Sequence, residues 1–274
     1  MHQYTVAVPG CTLHYSIQGS GCPLLLLPTL GGEARWHHSL LPVLAAHFQV
    51  ITYDRRGCGH SVPSTYPACV SAQGHDALAV LRAAGAAAAH VIGLGNGGVV
   101  ALDLATHAPQ AARSVLAFEP PLARLHPEKG RWRPFVADLF AQASKGGPAW
   151  DGLAFALGAG LHRQTLLRSA HQQQAWQEAG RPQYPERPIT EAYLDFITTT
   201  LYLPAPQLFT AGPPVYAGVG LHSLARQGFY IPIAMALAGQ AGTPLLQFPG
   251  HHLSAFHDAE AWGAALVAHL RSLA

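Results

Sequence analysis

A glycine-rich turn in the first half of the chain has the spacing of a catalytic turn but lacks a nucleophile. Residues 91–98 read VIGLGNGG, an apolar run that enters a predicted helix through Gly93, Gly95 and Gly97. In the G-x-S-x-G turn, or nucleophile elbow, flanking glycines let a strand and a helix approach while a strained central serine is exposed. Here the central residue is Gly95, which has no side chain that could attack a substrate.

Two other interpretations of this turn stay open. Gly93, Gly95 and Gly98 also fit the G-x-G-x-x-G spacing of a dinucleotide-binding turn, and Glu119 lies near the distance of that motif's acidic residue. That motif is expected after the first strand of its unit, whereas several predicted strands precede it here. The turn can also be a purely structural feature.

Alternating strand and helix signals predict a parallel sheet that would carry the turn. We predict strands at 4–8, 12–18, 24–27, 49–53, 90–94 and 114–118, and helices at 40–47, 77–84 and 99–106. The same alternation returns late in the chain, with strands at 214–218 and 244–248 and helices at 231–238 and 259–270. Repeated β-α-β units of this kind form a parallel sheet with helices on both faces.

The alternation stops in the middle of the chain, where only helical stretches are predicted, at 133–144, 153–157, 164–178 and 191–201. We therefore predict a core domain made of 1–121 and 214–274 and a helical cap made of 122–213. Such an insertion usually covers the carboxyl edge of the sheet, where ligands bind in open α/β folds.

Composition disfavours several classes of function. The 274 residues are 49% hydrophobic and 11% charged, with a net charge of +2 and no basic run, so nucleic-acid binding is not expected. No apolar segment has the length of a membrane span and no secretory signal is recognisable, so we expect a cytoplasmic protein. The 17 histidines form no H-E-x-x-H pattern and the four cysteines no C-x-x-C pair, so no metal, no cofactor and reduced thiols are expected.

The order of the motifs resembles the α/β-hydrolase superfamily along almost the whole chain. The motifs are PTLGG at 28–32 after an apolar strand, YDRRGCGHS at 53–61, the elbow, the helical insertion and PGHH at 249–252. Residues 28–33, 118–120 and the final Pro-Gly-x-His are most similar to lactonases of the zearalenone-hydrolysing type and related bacterial ester hydrolases. The resemblance implies a mostly parallel twisted sheet with helices on both faces and a cap inserted before the penultimate strand.

The resemblance implies that His252 is the catalytic base and Glu119 the acid that orients it. The family often places its acid after the strand that follows the cap, but 218–223 contains no carboxylate. The lactonase type uses a glutamate at the end of the strand before the cap, where Glu119 lies, and such a carboxylate would fix the tautomer of His252. His251 is the rival base, and Glu119 could instead cap the turn before Pro120.

Backbone donors for an oxyanion are expected from the N–H groups of Leu30, in the glycine loop, and of Asn96, directly after the elbow centre. The sequence departs from the family in two places. Gly95 replaces the serine, and Pro28-Thr29 stands where many relatives have His-Gly, although the lactonase-like group departs there too.

Contacts with the substrate are predicted at Gly31, Leu122, Trp176 and Tyr193. Trp176 begins a Trp-x-x-x-Gly-x-Pro run that resembles the lactonase cap segment over the ligand. An aromatic side chain there would offer a flat apolar surface to a bulky hydrophobic molecule. By helical spacing, the other cap aromatics are mostly expected to pack within the cap, and Trp176 is the exception.

Three functions are compatible with this sequence. The first is hydrolysis of a hydrophobic ester or lactone, with Gly95 either inactivating the protein or leaving His252 to activate water directly. The second is an acid–base lyase, isomerase or cyclase that uses His252 and Glu119 without a nucleophile. The third is a non-catalytic pseudo-hydrolase that binds a small molecule under its cap. The sequence also leaves a homodimer open.

Overall fold

The computed structural model describes residues 2–29, 32–61, 69–128, 130, 195 and 197–273. Its strands are β1 (His2–Val8), β2 (Cys11–Gln18), β3 (Pro23–Leu27), β4 (Gln49–Tyr53), β5 (Ala89–Leu94), β6 (Ala112–Phe118), β7 (Val215–Gly220) and β8 (Leu246–Phe248). They form one sheet in the order β1-β2-β4-β3-β5-β6-β7-β8. β2 pairs antiparallel with β1 and β4, and every other pair is parallel. The predicted mostly parallel sheet is confirmed.

The helices are α1 (Leu40–Ala45), α2 (Val70–Ala83), α3 (Asn96–His107), α4 (Gln207–Ala211), α5 (Leu221–Ala225), α6 (Tyr230–Ala241), α7 (Ser254–His257) and α8 (Ala259–Arg271). Helix α2 begins earlier than predicted because Cys69 caps it, its Sγ accepting from the Ala72 N–H at 3.4 Å. Gly74 lies inside α2, where a Cβ would overlap the Asp103 carboxylate of α3. Glycine has a low helix propensity, so Gly74 weakens the helical signal of the sequence although it allows the close packing of α2 on α3.

Two apolar layers cover the faces of the sheet, and β3 contributes to both. Leu25 and Leu27 pack in one cluster with side chains of α2, α3 and α6, while Leu24 and Leu26 pack in the other with α1 and α8. All four are 0% exposed, which confirms the prediction of a strand buried on both faces. Each such burial stabilises the fold by about 1.5–3 kcal/mol.

Most of the predicted cap, including the helices predicted at 133–144, 153–157 and 164–178, lies outside the described residues. The described end of the 122–213 range includes a helical segment, residue 195 and residues 197–201, with Asp195 and Thr199 fully buried. Leu208 of α4 belongs to the core cluster on the α2, α3 and α6 face. Within the described ranges, no helix is long and apolar enough to cross a membrane.

Candidate active site

The carboxyl ends of neighbouring parallel strands bring the predicted site residues to one edge of the sheet. Thr29 follows β3, Gly95 follows β5 and Glu119 follows β6, while His252 lies between β8 and α7. The crevice beyond the carboxyl ends of such strands is where open α/β folds bind ligands. The strand order β3-β5-β6-β7-β8 therefore gathers residues that are distant in sequence.

The turn between β5 and α3 has the geometry of a nucleophile elbow. Gly95 has φ 51° and ψ −118°, a conformation that a glycine adopts far more readily than other residues. A Cβ on Gly93 would overlap the backbone of Gly97, and a Cβ on Gly97 would overlap the Leu27 carbonyl. Gly93 and Gly97 are therefore required by the close approach of β5, α3 and β3.

His252 and Glu119 form the predicted pair. His252 Nδ1 lies 2.9 Å from Glu119 Oε2, and the Gly220 N–H donates to Glu119 Oε1 at 2.9 Å. Glu119 is 0% exposed, and its N–H donates to the Gly218 carbonyl at 2.9 Å, so both its backbone and its carboxylate are bonded to β7. A carboxylate accepts hydrogen bonds and does not donate them, so Nδ1 carries the proton and Nε2 presents a lone pair.

The free edge of the imidazole faces the apex of the elbow. A Cβ placed on Gly95 would lie 3.4 Å from both Cε1 and Nε2 of His252. His252 and the apex of the elbow are therefore within the reach of one short side chain. This arrangement can remove a proton from an oxygen held above residue 95.

Tyr230 stacks on His252, with ring centroids 4.6 Å apart and an angle of 5° between the ring planes. Burial, together with the charge of Glu119, raises the pKa of Tyr230 above its ordinary value, so the phenol stays neutral. The stacked ring holds the imidazole in the plane that faces Gly95. No signal in the sequence marks Tyr230, because only the packing of α6 brings it there.

The rival histidine has a different environment. His251 Nδ1 accepts from the Leu253 N–H at 3.1 Å, and its ring lies 5.8 Å from that of His257. Burial and the neighbouring His257 lower the pKa of His251 to about 4. Within the described part of the chain, Glu119 is hydrogen-bonded to His252 and not to His251.

Thr29 lies against the elbow where a side chain of residue 95 would be. A Cβ on Gly95 would overlap Thr29 Oγ1. The Thr29 carbonyl accepts from the Gly32 N–H at 2.9 Å and from Arg55 Nη2 at 3.1 Å. The next residues of this loop, Leu30 and Gly31, lie outside the described residues, so the predicted oxyanion donor Leu30 and the substrate contact Gly31 stay predictions.

A buried polar network lies behind the elbow. Arg55 forms a two-pronged ion pair with Asp195, at 3.0 Å and 2.8 Å, and its Nη1 donates to Gln73 at 2.6 Å. Asn96 Nδ2 donates to Thr199 Oγ1 at 3.1 Å. The network thus joins the segment around residue 195 to the first residue of α3 and, through Arg55, to the Thr29 loop.

The remaining predicted site residues have the following places. Asn96 begins α3, so its N–H is one of the groups at a helix start that have no partner within the helix. Leu122 is 0% exposed within the core cluster, and its contact with a substrate stays a prediction. Trp176 and Tyr193 lie outside the described residues. Among the described residues no group of three histidine, cysteine or acidic side chains could hold a metal ion.

Comparison with known proteins agrees with this geometry. A family model for the alpha/beta hydrolase fold matches residues 23–215. The chain belongs to the α/β-hydrolase family. In this α/β-hydrolase, the elbow, the histidine and the acid lie on the elements from which the sequence predicts them, and glycine occupies the centre of the elbow.

Named relatives are hydrolases. This α/β-hydrolase is 40% identical over 103 residues to a protein of Azorhizobium caulinodans named a putative carbamate hydrolase RutD, a match that spans only 39% of that relative. An α/β hydrolase from a Medee basin deep-sea metagenome library has a TM-score of 0.76 at 13% identity, over 98% of this chain and 97% of that chain. The enol-lactonase of Burkholderia xenovorans LB400 has a TM-score of 0.69 at 20% identity, over 98% and 100%. The two structural likenesses show the fold alone.

Proposed function

We propose that this α/β-hydrolase cleaves a small hydrophobic ester or lactone, with His252 as general base and Glu119 as the carboxylate that orients it. One observation carries the proposal: Nδ1 of His252 is bound to Glu119 while Nε2 faces the apex of the elbow. A buried carboxylate that orients an imidazole toward an open position is the arrangement that a general base requires. The names of a carbamate hydrolase and an enol-lactonase among the similar proteins agree with acyl chemistry.

The reaction follows from the positions of these groups. Nε2 takes the proton of an oxygen nucleophile, and Glu119 stabilises the imidazolium that forms. The N–H of Asn96, at the start of α3, stabilises the negative charge that develops on the substrate carbonyl oxygen. Leu30 is the proposed second donor. Gly95 itself supplies no attacking group, so the nucleophile is either water or a hydroxyl from another element.

The substrate would lie between this site and a helical cap formed by residues 122–213, with the core domain made of 1–121 and 214–274. Trp176 and Tyr193 are the aromatic side chains proposed to contact the hydrophobic part of the substrate. Gly31 and Leu122 are proposed to contact it near the reacting carbonyl. The resemblance of residues 28–33 and 118–120 to lactonases of the zearalenone-hydrolysing type favours a cyclic ester as the substrate class.

Hydrolysis of p-nitrophenyl acetate and of an aryl-substituted lactone tests the function. His252→Gln should lower kcat/KM by at least about 100-fold, since a positioned general base contributes about 10²–10⁴-fold. His75→Gln, on an exposed face of α2, is the matched control and should retain activity. Equal turnover by wild type and His252→Gln would contradict the proposal.

The missing side chain at Gly95 also suits a reaction without a nucleophile, so an acid–base lyase, isomerase or cyclase is the second candidate. Product analysis in ¹⁸O-labelled water separates the two. Hydrolysis places the heavy oxygen in the acid product, whereas proton transfer alone does not. A protein that only binds a ligand would show neither product, and its affinity would survive His252→Gln.

A further inference from the structure

We propose that Thr29 supplies the hydroxyl nucleophile that the elbow lacks. The inference rests on the proposed hydrolytic function and adds the attacking group. The observation behind it is that Thr29 Oγ1 overlaps the Cβ position of residue 95. That Cβ position lies 3.4 Å from His252 Nε2. The oxygen therefore occupies part of the space that a serine side chain at residue 95 would take.

Thr29 is held in place through its backbone. Its carbonyl accepts from the Gly32 N–H at 2.9 Å and from Arg55 Nη2 at 3.1 Å. Arg55 is in turn fixed by the buried ion pair with Asp195, in which the side chains are 1% and 0% exposed. A nucleophile needs such a fixed backbone, because a displacement of about 1 Å can cost about 10²-fold in rate.

Thr29 is nevertheless only partly buried as a residue. A reactive hydroxyl must meet its substrate, so this exposure distinguishes Thr29 from a threonine such as Thr52. Thr52 is 1% exposed, and its hydroxyl donates to the Leu26 carbonyl at 2.9 Å.

The two departures from the family pattern meet in space. One of them, Gly95, removes a hydroxyl from the elbow, and the other, Thr29, brings a hydroxyl to the adjacent loop. In the fold these two residues touch, because β3 and β5 are neighbours in the sheet. The base, the carboxylate and the start of α3 then keep the positions that they would have around a serine.

The proposed reaction has two steps. In the first, the Thr29 Oγ1 proton passes to His252 Nε2, a bond forms between Oγ1 and the acyl carbon, and the bond to the leaving oxygen breaks as that oxygen takes the proton from the imidazolium. In the second, His252 removes a proton from water, and the hydroxide attacks the acyl-threonine ester. The acid is released, and Oγ1 regains its proton from the imidazolium.

Covalent labelling with a fluorophosphonate probe tests this inference apart from turnover. We expect a single adduct, located by peptide mass spectrometry at Thr29, formed by loss of fluoride and of the hydroxyl proton. Thr29→Val, which keeps the shape but removes the oxygen, should abolish the adduct, whereas Thr29→Ser should retain it. Thr5→Val, on the exposed strand β1, is the matched control and should label as wild type does.

Ester turnover provides the second readout. Thr29→Val should lower kcat by at least about 100-fold with a wild-type melting temperature, since loss of the nucleophile from a triad can cost on the order of 10⁶-fold. Thr29→Ser should restore turnover. An adduct elsewhere, no adduct, or a Thr29→Val protein with wild-type turnover would overturn the inference. Turnover that depends on His252 but not on Thr29 would leave the proposed hydrolase standing with water as nucleophile, whereas labelling of Thr29 without any ester turnover would contradict the proposed function alone.

Discussion

Residue 95 has a backbone conformation that favours glycine strongly over residues with a Cβ. Its φ of 51° and ψ of −118° fall outside the regions that residues with a Cβ occupy without strain. Holding a non-glycine residue in such a conformation costs about 1–3 kcal/mol. A serine at the centre of the elbow would therefore be held in a strained backbone conformation. Gly95 adopts the same conformation without that strain.

Gly95→Ser should consequently lower the free energy of unfolding by about 1–3 kcal/mol, as measured by urea denaturation. Gly85→Ser is the matched control. Gly85 also has a positive φ, of 73°, but no atom lies within 4 Å of its Cβ position, so this variant measures the cost of the backbone conformation without any steric overlap. The new side chain at residue 95 also overlaps Thr29 Oγ1. A gain in stability for Gly95→Ser would show that the elbow is not strained.

The overlap between a side chain at residue 95 and Thr29 Oγ1 also affects the activity of a serine placed there. Gly95→Ser/Thr29→Ala should hydrolyse p-nitrophenyl acetate at least about 10-fold faster than Thr29→Ala, because the serine hydroxyl then has room beside His252 and replaces the lost threonine nucleophile. Gly95→Ser alone should gain less than the double variant does. If Thr29→Ala gains nothing from the serine, the base does not face residue 95 in solution.

At the scale of elements, the sheet and the elbow could be predicted because their signals are local. The apolar run at 24–27 and the glycines around residue 95 each carry the pattern of their structure within a few residues. Glu119 and His252 could be paired because both follow strands of a parallel sheet, whose carboxyl ends share one edge.

The contacts that the sequence did not reveal depend on tertiary packing. Thr29 was recognised only as a departure from a motif, since its contact with Gly95 depends on how the loop after β3 folds back. The ion pair between Arg55 and Asp195 joins residues 140 positions apart. No local periodicity or spacing encodes a pair of that kind.

This ion pair couples the helical residues 195 and 197–201 to the elements of the site. Asp195→Asn should lower the free energy of unfolding by about 3–5 kcal/mol, because it leaves the buried Arg55 charge without its counter-charge. Glu260→Gln, on the exposed side of α8, removes an acid that is not buried and should have little effect. The two curves of guanidinium denaturation should therefore separate clearly. A loss no larger than that of the control would mean that Arg55 is solvated or otherwise paired.

At the scale of the whole molecule, burial keeps several histidines neutral. His37 is 2% exposed, and its burial, with a smaller contribution from His38, lowers its pKa to about 3. Burial lowers the pKa of His251 to about 4. In the unfolded chain both imidazoles take up a proton near their ordinary pKa of 6.5. Below that pH the unfolded state therefore binds more protons than the folded state does.

The free energy of unfolding should accordingly be highest above pH 6.5 and fall as the solution is acidified toward pH 4, with each of these histidines contributing about 1.4 kcal/mol per pH unit. Burial raises the pKa of Asp76 and Asp103 above 3.8, an effect of opposite sign because the folded state then holds more protons on these carboxyls than the unfolded state does. His37→Leu isolates the contribution of one histidine. Between pH 6 and pH 4.5, the free energy of unfolding of this variant should fall less steeply with acidification than that of wild type, by about 1.4 kcal/mol per pH unit. Parallel curves for wild type and His37→Leu would show that residue 37 is protonated to the same extent in both states.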